Sequence, residues 1–532
     1  MARNKIIYAS QSVWCNGEVL YRVQSLGSTT TFTSEDIFEL GHLDLVDVVD
    51  DVPAVAVTLN TNDFGDVRTL AVLAQVAVGE KRDMLLAPTS SGANLAVVDS
   101  SGVETGNYYH GAGLPDFAVT CGNLTGVSLW APVQDECSVG TLADNIDQTM
   151  WMDEVYVNSL EFSYTTGANA TENYGAETAQ KKWFLNSGRF VNYETFTLSG
   201  TQTTVTLVGV ATDGVTVATM SDGNLGFLRS SEGGAPAISI YDYSANTMTN
   251  YEIASGAATA TTAGWVAGTG VITLPTGFTA AAGDRVEVIY SADGYASTVS
   301  QKYFTILDSV SRPDMVGALR QGQVEVYLID PDSAPATWND AIAFRFTGVT
   351  ITSDLTREPL SQLGNLEPYD RPLTLPIPIT ITMDTTAGDL EHWATFAGKL
   401  SAFEAGTLVD LDLADLFSNE NMILVVKVYA QTDEEAGGIG TNRVLATGSS
   451  LIGQNYWEDG SMGTYAAAGE VERPLKTVVV DHLKITDEAY TLDLGANATQ
   501  TFGFRSTNDL YVVKGDVDLA HLTSGNTIRR NG

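Results

Sequence analysis

Short runs in which apolar and polar residues alternate dominate this chain, and that period of two predicts strands. "EVYVNSLEFSY" (154–164) and "TVVVDHLKIT" (477–486) alternate as half-buried strands do. "VPAVAVTLN" (52–60), "LPIPITITM" (375–383) and "NMILVVKVYA" (421–430) are apolar, β-rich runs of strand length. Two segments depart from this pattern. "VRTLAVLAQVA" (67–77) and "LEHWATFAGKLSAF" (390–403) each follow a Gly-Asp pair, Gly65-Asp66 and Gly388-Asp389. An acid in that place suits a helix N-cap or first turn, and Ala71 with Ala74, like Ala394 with Ala397, share one helical face. The pattern therefore predicts a helix packed by small residues against a sheet, with a third strand as the competing reading.

The same word appears twice: "TGANATENYG" (166–175) and "LGANATQTFG" (494–503). Each copy follows one of the alternating strands, and its Gly and Asn suit a tight turn. A duplication explains the repeat if other segments keep a constant spacing. Laying Phe32 on Leu355, a shift of 323, pairs Gly41 with Gly364, Asp47 with Asp370 and Pro53 with Pro376. The same shift pairs Gly65 with Gly388, Asp66 with Asp389, "DECSVGT" (135–141) with "EDGSMGT" (458–464), and Leu160 with Leu483. Past that point the shift becomes 328, which pairs Gly167 with Gly495 as if five residues entered before the second copy of the word. Glycines, prolines and apolar positions are those that backbone geometry and packing dictate, so a shared register at them marks a duplicated domain.

Residues 1–190 and 306–532 are thus expected to be two antiparallel β-sandwich or barrel domains with one helix each. The stretch 191–305 has no counterpart. Its "TQTTVTLVGVATDGVTVATM" (201–220) and "GTGVITLPTGFTAAAGDRVEVIYSA" (268–292) read as short strands with turn signals. It is either an inserted small β-domain, for which an immunoglobulin-like form is one option, or in part a completion of the first sheet.

Composition sharpens the class. At 532 residues the chain exceeds one core, and 44% hydrophobic against 17% charged residues describes a packed globular protein. Fifty glycines agree with many tight turns. The N-terminus lacks the apolar stretch of a secretory signal, and no run approaches a membrane span, so synthesis and folding in a cytoplasm are expected. Lys and Arg number 27 against 65 Asp and Glu, a net charge of −38 spread along the chain. Such a surface favours solubility, and it also repels nucleic acid, since each phosphate met adds like-charge repulsion.

Candidate chemistry is sparse. His42, His110, His392, His482 and His521 lack metal-type spacing, and no zincin, nucleophile-elbow, phosphate-loop or dinucleotide motif occurs. "DLVDVVDD" (44–51) could offer carboxylates to a hard cation, but the second copy replaces Asp50 and Asp51 by Leu373 and Thr374, which favours a solvated acidic loop. Cys15, Cys121 and Cys137 suit buried thiols better than a disulfide framework. Asn123, Asn169 and Asn497 head glycosylation sequons that matter only in a secreted chain. Trp14, Trp130, Trp183 and Trp457 suit core or interface anchors better than sugar platforms. An enzyme, a resident metal and a cofactor are therefore not expected.

A duplicated, acidic β-protein with an apolar run, a Gly-Asp helix and a strand before the repeated turn resembles the major tail tube proteins of long-tailed bacterial or archaeal viruses. The resemblance covers 1–190 and 306–532 and rests on architecture, with no diagnostic short motif. In that family, single-domain members form hexameric rings, fused duplications form trimeric rings of pseudo-sixfold symmetry, and an immunoglobulin-like domain often decorates the outside. The resemblance implies stacked rings made by self-association, a lumen that DNA crosses without specific binding, and contacts with tape-measure and tail terminator or baseplate proteins in the virion. Acids at repeated positions, such as Asp47 with Asp370, are candidates for the lumen, whose acids the sequence does not assign. Rival readings are another virion protein (baseplate, neck or capsid decoration), a tandem-sandwich carbohydrate-binding adhesin, and a hydrolase with scattered carboxylates.

Overall fold

Val, Ile, Thr and Tyr fill the runs between glycines, and branched or aromatic side chains favour extended backbone because they pack well on a pleated surface. The chain is accordingly mainly β, with two short α-helices among the described residues. The structure, a computed structural model, describes residues 11–15, 18–20, 22–40, 45–50, 52–62, 67–74, 95–118, 126–134, 146–185, 190–207, 225–231, 235–242, 247–266, 269–292, 324–329, 342–343, 346–360, 371–385, 405–406, 422–428, 476–491, 498–523 and 525–530.

The first half runs β1 (Val13–Cys15), β2 (Glu18–Leu20), β3 (Val23–Thr31), β4 (Ser34–Ile37), β5 (Asp47–Asp50), β6 (Ala54–Thr61), α1 (Arg68–Leu73), β7 (Leu95–Val98), β8 (Glu104–Tyr109), β9 (Gly111–Gly113), α2 (Leu114–Ala118), β10 (Val127–Gln134), β11 (Ile146–Thr165), β12 (Thr171–Thr178) and β13 (Gln180–Leu185). The middle carries β14 (Phe190–Thr197), β15 (Thr204–Thr206), β16 (Arg229–Ser230), β17 (Pro236–Asp242), β18 (Thr247–Ser255), β19 (Thr262–Val266), β20 (Val271–Thr273) and β21 (Arg285–Ala292). The second half runs β22 (Val324–Ile329), β23 (Ile342–Ala343), β24 (Phe346–Asp354), β25 (Pro378–Thr385), β26 (Met422–Val428), β27 (Lys476–Thr491), β28 (Thr499–Thr507), β29 (Leu510–Lys514) and β30 (Thr527–Arg530).

The halves repeat one hydrogen-bond ladder, down to its irregularities. The β3–β6 pair starts at Val23–Thr61 and bulges before Ser25 meets Asn60; β24–β25 starts at Phe346–Thr385 and bulges before Gly348 meets Asp384. The β11–β12 bulge between Val157 and Ser159 recurs in β27–β28 between Ile485 and Asp487. A bulge after Val127 on β10 recurs after Met422 on β26. Glu154 and His482, at matching points of the two longest strands, both hold positive φ, 49° and 55°. At that corner each long strand leaves one sheet and enters the next: its first part lies beside β10 and β13, or β26 and β29, and its second beside β12 or β28.

These ladders correct the rigid register. The shift of 323 holds from Val23–Phe346 to the hairpin, where Ser34 faces Asp50 and Arg357 faces Leu373. By β6 the shift is 324, since Val55 answers to Ile379, so a one-residue slip falls between the hairpin and β6, beside Pro53 and Pro376. The shift of 328 governs the whole of β11 and β27: Val155 answers to Leu483, and the counterpart of Leu160 is Glu488. Connections absorb insertions that ladders cannot, and a one-residue slip inside a strand would turn every side chain to the wrong face.

The expected first helix exists as α1, with Ala71 and Ala74 buried, but its N-cap is Val67 and no acid lies in its first turn. Gly65 and Asp66 precede the described part, so the capping role given to Asp66 is not met at α1. Gly41, Gly364, Asp370, Gly388, Asp389 and Gly495 also lie outside the described residues, as do 135–141 and 458–464. The helix expected over 390–403, with Ala394 and Ala397, lies outside the described residues, and α2 was not expected. It follows β9, whose Gly113 N–H donates to the Asp116 carboxylate at 2.7 Å.

One apolar core spans both halves, joining Val57, Leu59 and Phe162 to Ile351, Ile381, Phe502 and Phe504. The outer face of the second half is covered by β7 and β8 of the first half with β30, which bury Leu95 and Val97 against Val425, Val479 and Val513. The matching face of the first half carries an aromatic stack, Trp130 on Trp151 at 5.0 Å between ring centroids. The middle section has its own sheet, in the order β14-β21-β17-β18-β19-β20-β15, and its own core around Trp265, Val286 and Tyr290. Its described strands pair only with one another. Arg229 ties it to the first half by an ion pair with Asp153 at 3.2 Å, while Arg285 reaches Glu287 at 2.9 Å.

Candidate assembly surface

Eight strands form one antiparallel run in the order β3-β6-β12-β11-β24-β25-β28-β27. It is a four-strand unit written twice, joined where β11 of the first half pairs with β24 of the second. Strict alternation sends one face into the core and leaves the other polar. On β6, Val55, Val57 and Leu59 are buried and Ala54, Ala56 and Thr58 are exposed; β25 repeats the pattern. The polar face holds a groove of about 600 Å³ that crosses the junction, lined by Ser25, Thr58, Asn60, Glu161, Asp354 and Thr380 among others. Its lining includes Glu161 and Asp354 but no Lys or Arg. Asn173 Nδ2 donates to Glu161 Oε1 at 2.9 Å, and Thr501 Oγ1 donates to Asp384 Oδ1 at 2.7 Å, so acids on this face are held in place.

The repeated word now has a structural meaning. Gly167 (φ 80°) sits in the turn between β11 and β12. The aromatic that follows, Tyr174 or Phe502, enters the core, and the next glycine faces the bulge. A Cβ on Gly175 would stand 2.2 Å from Ser159 Oγ, and one on Gly503 would stand 2.1 Å from Asp487 Oδ1. Ser159 and Asp487 are the partners of these glycines in the ladder, directly after the extra bulge residues Asn158 and Thr486.

The junction is sealed by more than the ladder. Beyond β24 the chain continues over the first half: Leu355 N–H donates to the Asn158 carbonyl at 2.8 Å, and Arg357 Nε donates to the Val157 carbonyl at 3.0 Å. The Arg357 guanidinium lies 5.3 Å from the Tyr156 ring centre, and Arg371 pairs with Glu177. Behind the sheet, Lys476 of β27 pairs with Glu172 of β12, both fully buried, and Tyr174 Oη donates to Glu172 at 2.8 Å. Lys476 also lies 5.3 Å from the Phe162 ring.

The run ends on two edges that repeat the junction without a mate. Among the described residues, β3 pairs only with β6, and residues 487–491 of β27 pair only with β28. Equivalent positions show the difference directly. Phe162 is 0% exposed at the junction, and its counterpart Tyr490 is 54% exposed. Leu355 is 0% exposed, and its counterpart Phe32 is 78% exposed. The β4–β5 hairpin after Phe32 is exposed along its described length and shows Ile37, Phe38, Leu40, Leu45, Val48 and Val49 to solvent. An exposed apolar patch beside an unpaired strand edge marks an association surface.

Asp47 lies on this hairpin, outside the groove, where its Oδ1 accepts from the Val48 N–H at 2.9 Å. The acids that line the groove are Glu161 and Asp354, on β11 and β24. Trp14 and Trp130 are buried and Trp183 is exposed, while Trp457, Cys121 and Cys137 lie outside the described residues. Cys15 is buried and is not part of a disulfide. Among the described residues no cluster of three His, Cys, Asp or Glu could hold a metal ion, and no helix is long and apolar enough to cross a membrane. Sequence reasoning missed Glu172 and Lys476; an Asn-Tyr-Gly context and a lysine heading a valine run carried no sign that the two would meet. No protein-family model matches the chain, and no curated protein matches it in sequence.

Proposed function

We propose that this protein is a virion structural subunit that assembles into trimeric, pseudo-hexameric rings, and that the rings stack into the tail tube of a long-tailed virus. The observation that carries the reading is the twice-written four-strand unit, whose internal junction joins two edges and whose outer ends offer the same two edges again. A head-to-tail contact of this kind is heterologous, and it closes into a ring when the rotation per unit divides a full turn. Closure would also remove the exposed strand edges. The polar face supports a lumen for DNA: it carries Glu161 and Asp354 and no cation in its groove, so a phosphate backbone meets nothing there that would displace its counterions. The net charge of −38 adds long-range repulsion. Tape-measure and tail terminator or baseplate proteins are the further partners this reading implies.

Electron microscopy of the purified chain at raised concentration tests it. Rings or tubes with an open channel, built from three chains per ring, are expected. A chain that stays monomeric, or one that binds glycans on an array, overturns the reading in favour of an adhesin.

A further inference from the structure

The inner junction and the outer edges place their cations on opposite partners, and this points to how copies recognise each other. At the junction the segment after β24 brings cations, Arg357 and Arg371, onto a first half that offers Tyr156 and Glu177. The ladder equivalences lose both cations from the segment and place two on the receiving side. Ser34 stands in place of Arg357 and Val48 in place of Arg371, in a hairpin that carries Glu35, Asp36 and Asp47. On the receiving side, Lys484 stands in place of Tyr156 and Arg505 in place of Glu177. A second sign lies behind the sheet. Gln500 answers to Glu172 and is 2% exposed; its Nε2 donates to Glu488, but its buried Oε1 has no hydrogen-bond partner among the described residues. Glu172 receives Lys476, and the residue equivalent to Lys476 is Gln148, a side chain able to donate to Gln500 Oε1.

We propose that the β4–β5 hairpin and β3 of one chain dock on the outer edge of β27 of a second copy, acids of the hairpin against Lys484 and Arg505, in the register of the inner junction. The proposal rests on the ring reading and names its contact. Transferring the β11–β24 register pairs Asp487 with Thr31, Ala489 with Thr29 and Thr491 with Gly27 across the two chains. Phe32 then covers what Leu355 covers inside the chain. The reversed polarity makes the seats exclusive: the hairpin would set acids against Glu177 at the inner seat, and Arg357 with Arg371 would meet Lys484 and Arg505 at the outer one. Like charges brought together suppress the wrong pairing. Each chain therefore joins its own halves internally and offers a distinct, acidic plug and basic socket to its neighbours.

The test mixes two full-length variants, Thr29→Cys and Ala489→Cys, both at exposed positions. Under mild oxidation a mixed disulfide dimer is expected, whereas Thr29→Cys with Glu488→Cys, whose side chain lies on the other sheet face, gives none. Reversing the socket with Lys484→Glu and Arg505→Glu should weaken self-association about tenfold. Adding a chain with Glu35→Lys and Asp36→Lys should restore it. Rings that form without the Thr29–Ala489 crosslink, or that ignore the charge reversals, overturn this contact and leave the ring reading standing. A chain that is monomeric at every concentration overturns the ring reading itself.

Discussion

His482 shows how one residue holds a corner of this fold. It bends β27 from one sheet to the next with φ 55°, and its Nδ1 lies 3.1 Å from Asp509 Oδ2 and 3.6 Å from Asp481 Oδ2. The hydrogen bond with Asp509 raises its pKa above the ordinary value, against the pull of partial burial, and the Asp481 and Asp509 charges add to the rise. A histidine whose folded pKa is raised contributes stability that is fully present below its unfolded value, about 6.5, and that is lost as pH rises through the folded value. His482→Asn keeps a residue that tolerates positive φ but cannot carry the charge. Its melting temperature should therefore fall below wild type in mildly acidic buffer, and the gap should close as pH is raised past neutrality. A gap that is constant with pH would mean that the histidine acts only through backbone shape.

The Glu172–Lys476 pair binds two elements, β12 of the first half and β27 of the second. Removing one member of a buried ion pair leaves the other charged and desolvated, a loss of about 3–5 kcal/mol. Glu172→Ala should lower the urea midpoint accordingly. The double variant Glu172→Gln with Lys476→Gln replaces the ions by the amide pair that Gln500 and Gln148 form in the proposed contact between chains, and it should recover most of that loss. A double variant no more stable than Glu172→Ala would show that the position needs the ions themselves. The β-bulges belong to this scale too. Both Gly175 and Gly503 leave room for the side chain that follows the bulge, so strand order and glycine placement form one device used twice.

For the whole molecule, the decisive property is that its longest sheet has a direction. A unit repeated head to tail presents unlike edges, and growth from unlike edges gives rings or filaments, whereas like edges would give a closed dimer. On the tail-tube reading the polar face of that sheet meets DNA. Rings of Glu161→Lys with Asp354→Lys should retain short duplex DNA at low salt and release it as salt rises, and wild-type rings should let it pass. Retention by wild-type rings in a mobility-shift assay would contradict an inert lumen.

Reading along the chain, the period-two pattern determined the β class, the spacing of the GANAT words determined the duplication, and the excess of acids over cations determined a surface hostile to phosphate. These are local or additive properties, written in the order of residues. The register was only partly legible, because insertions and deletions between strands moved it from 323 to 324, to 295 at β10 and β26, and to 328, while the ladders stayed intact. Tertiary structure alone decided which equivalent residues are covered and which are bare. Phe162 and Tyr490 are both aromatics on the same strand position, yet one is sealed by β24 and the other waits at an edge. Burial depends on what another strand, distant in sequence, brings alongside, and no pattern within either strand encodes that.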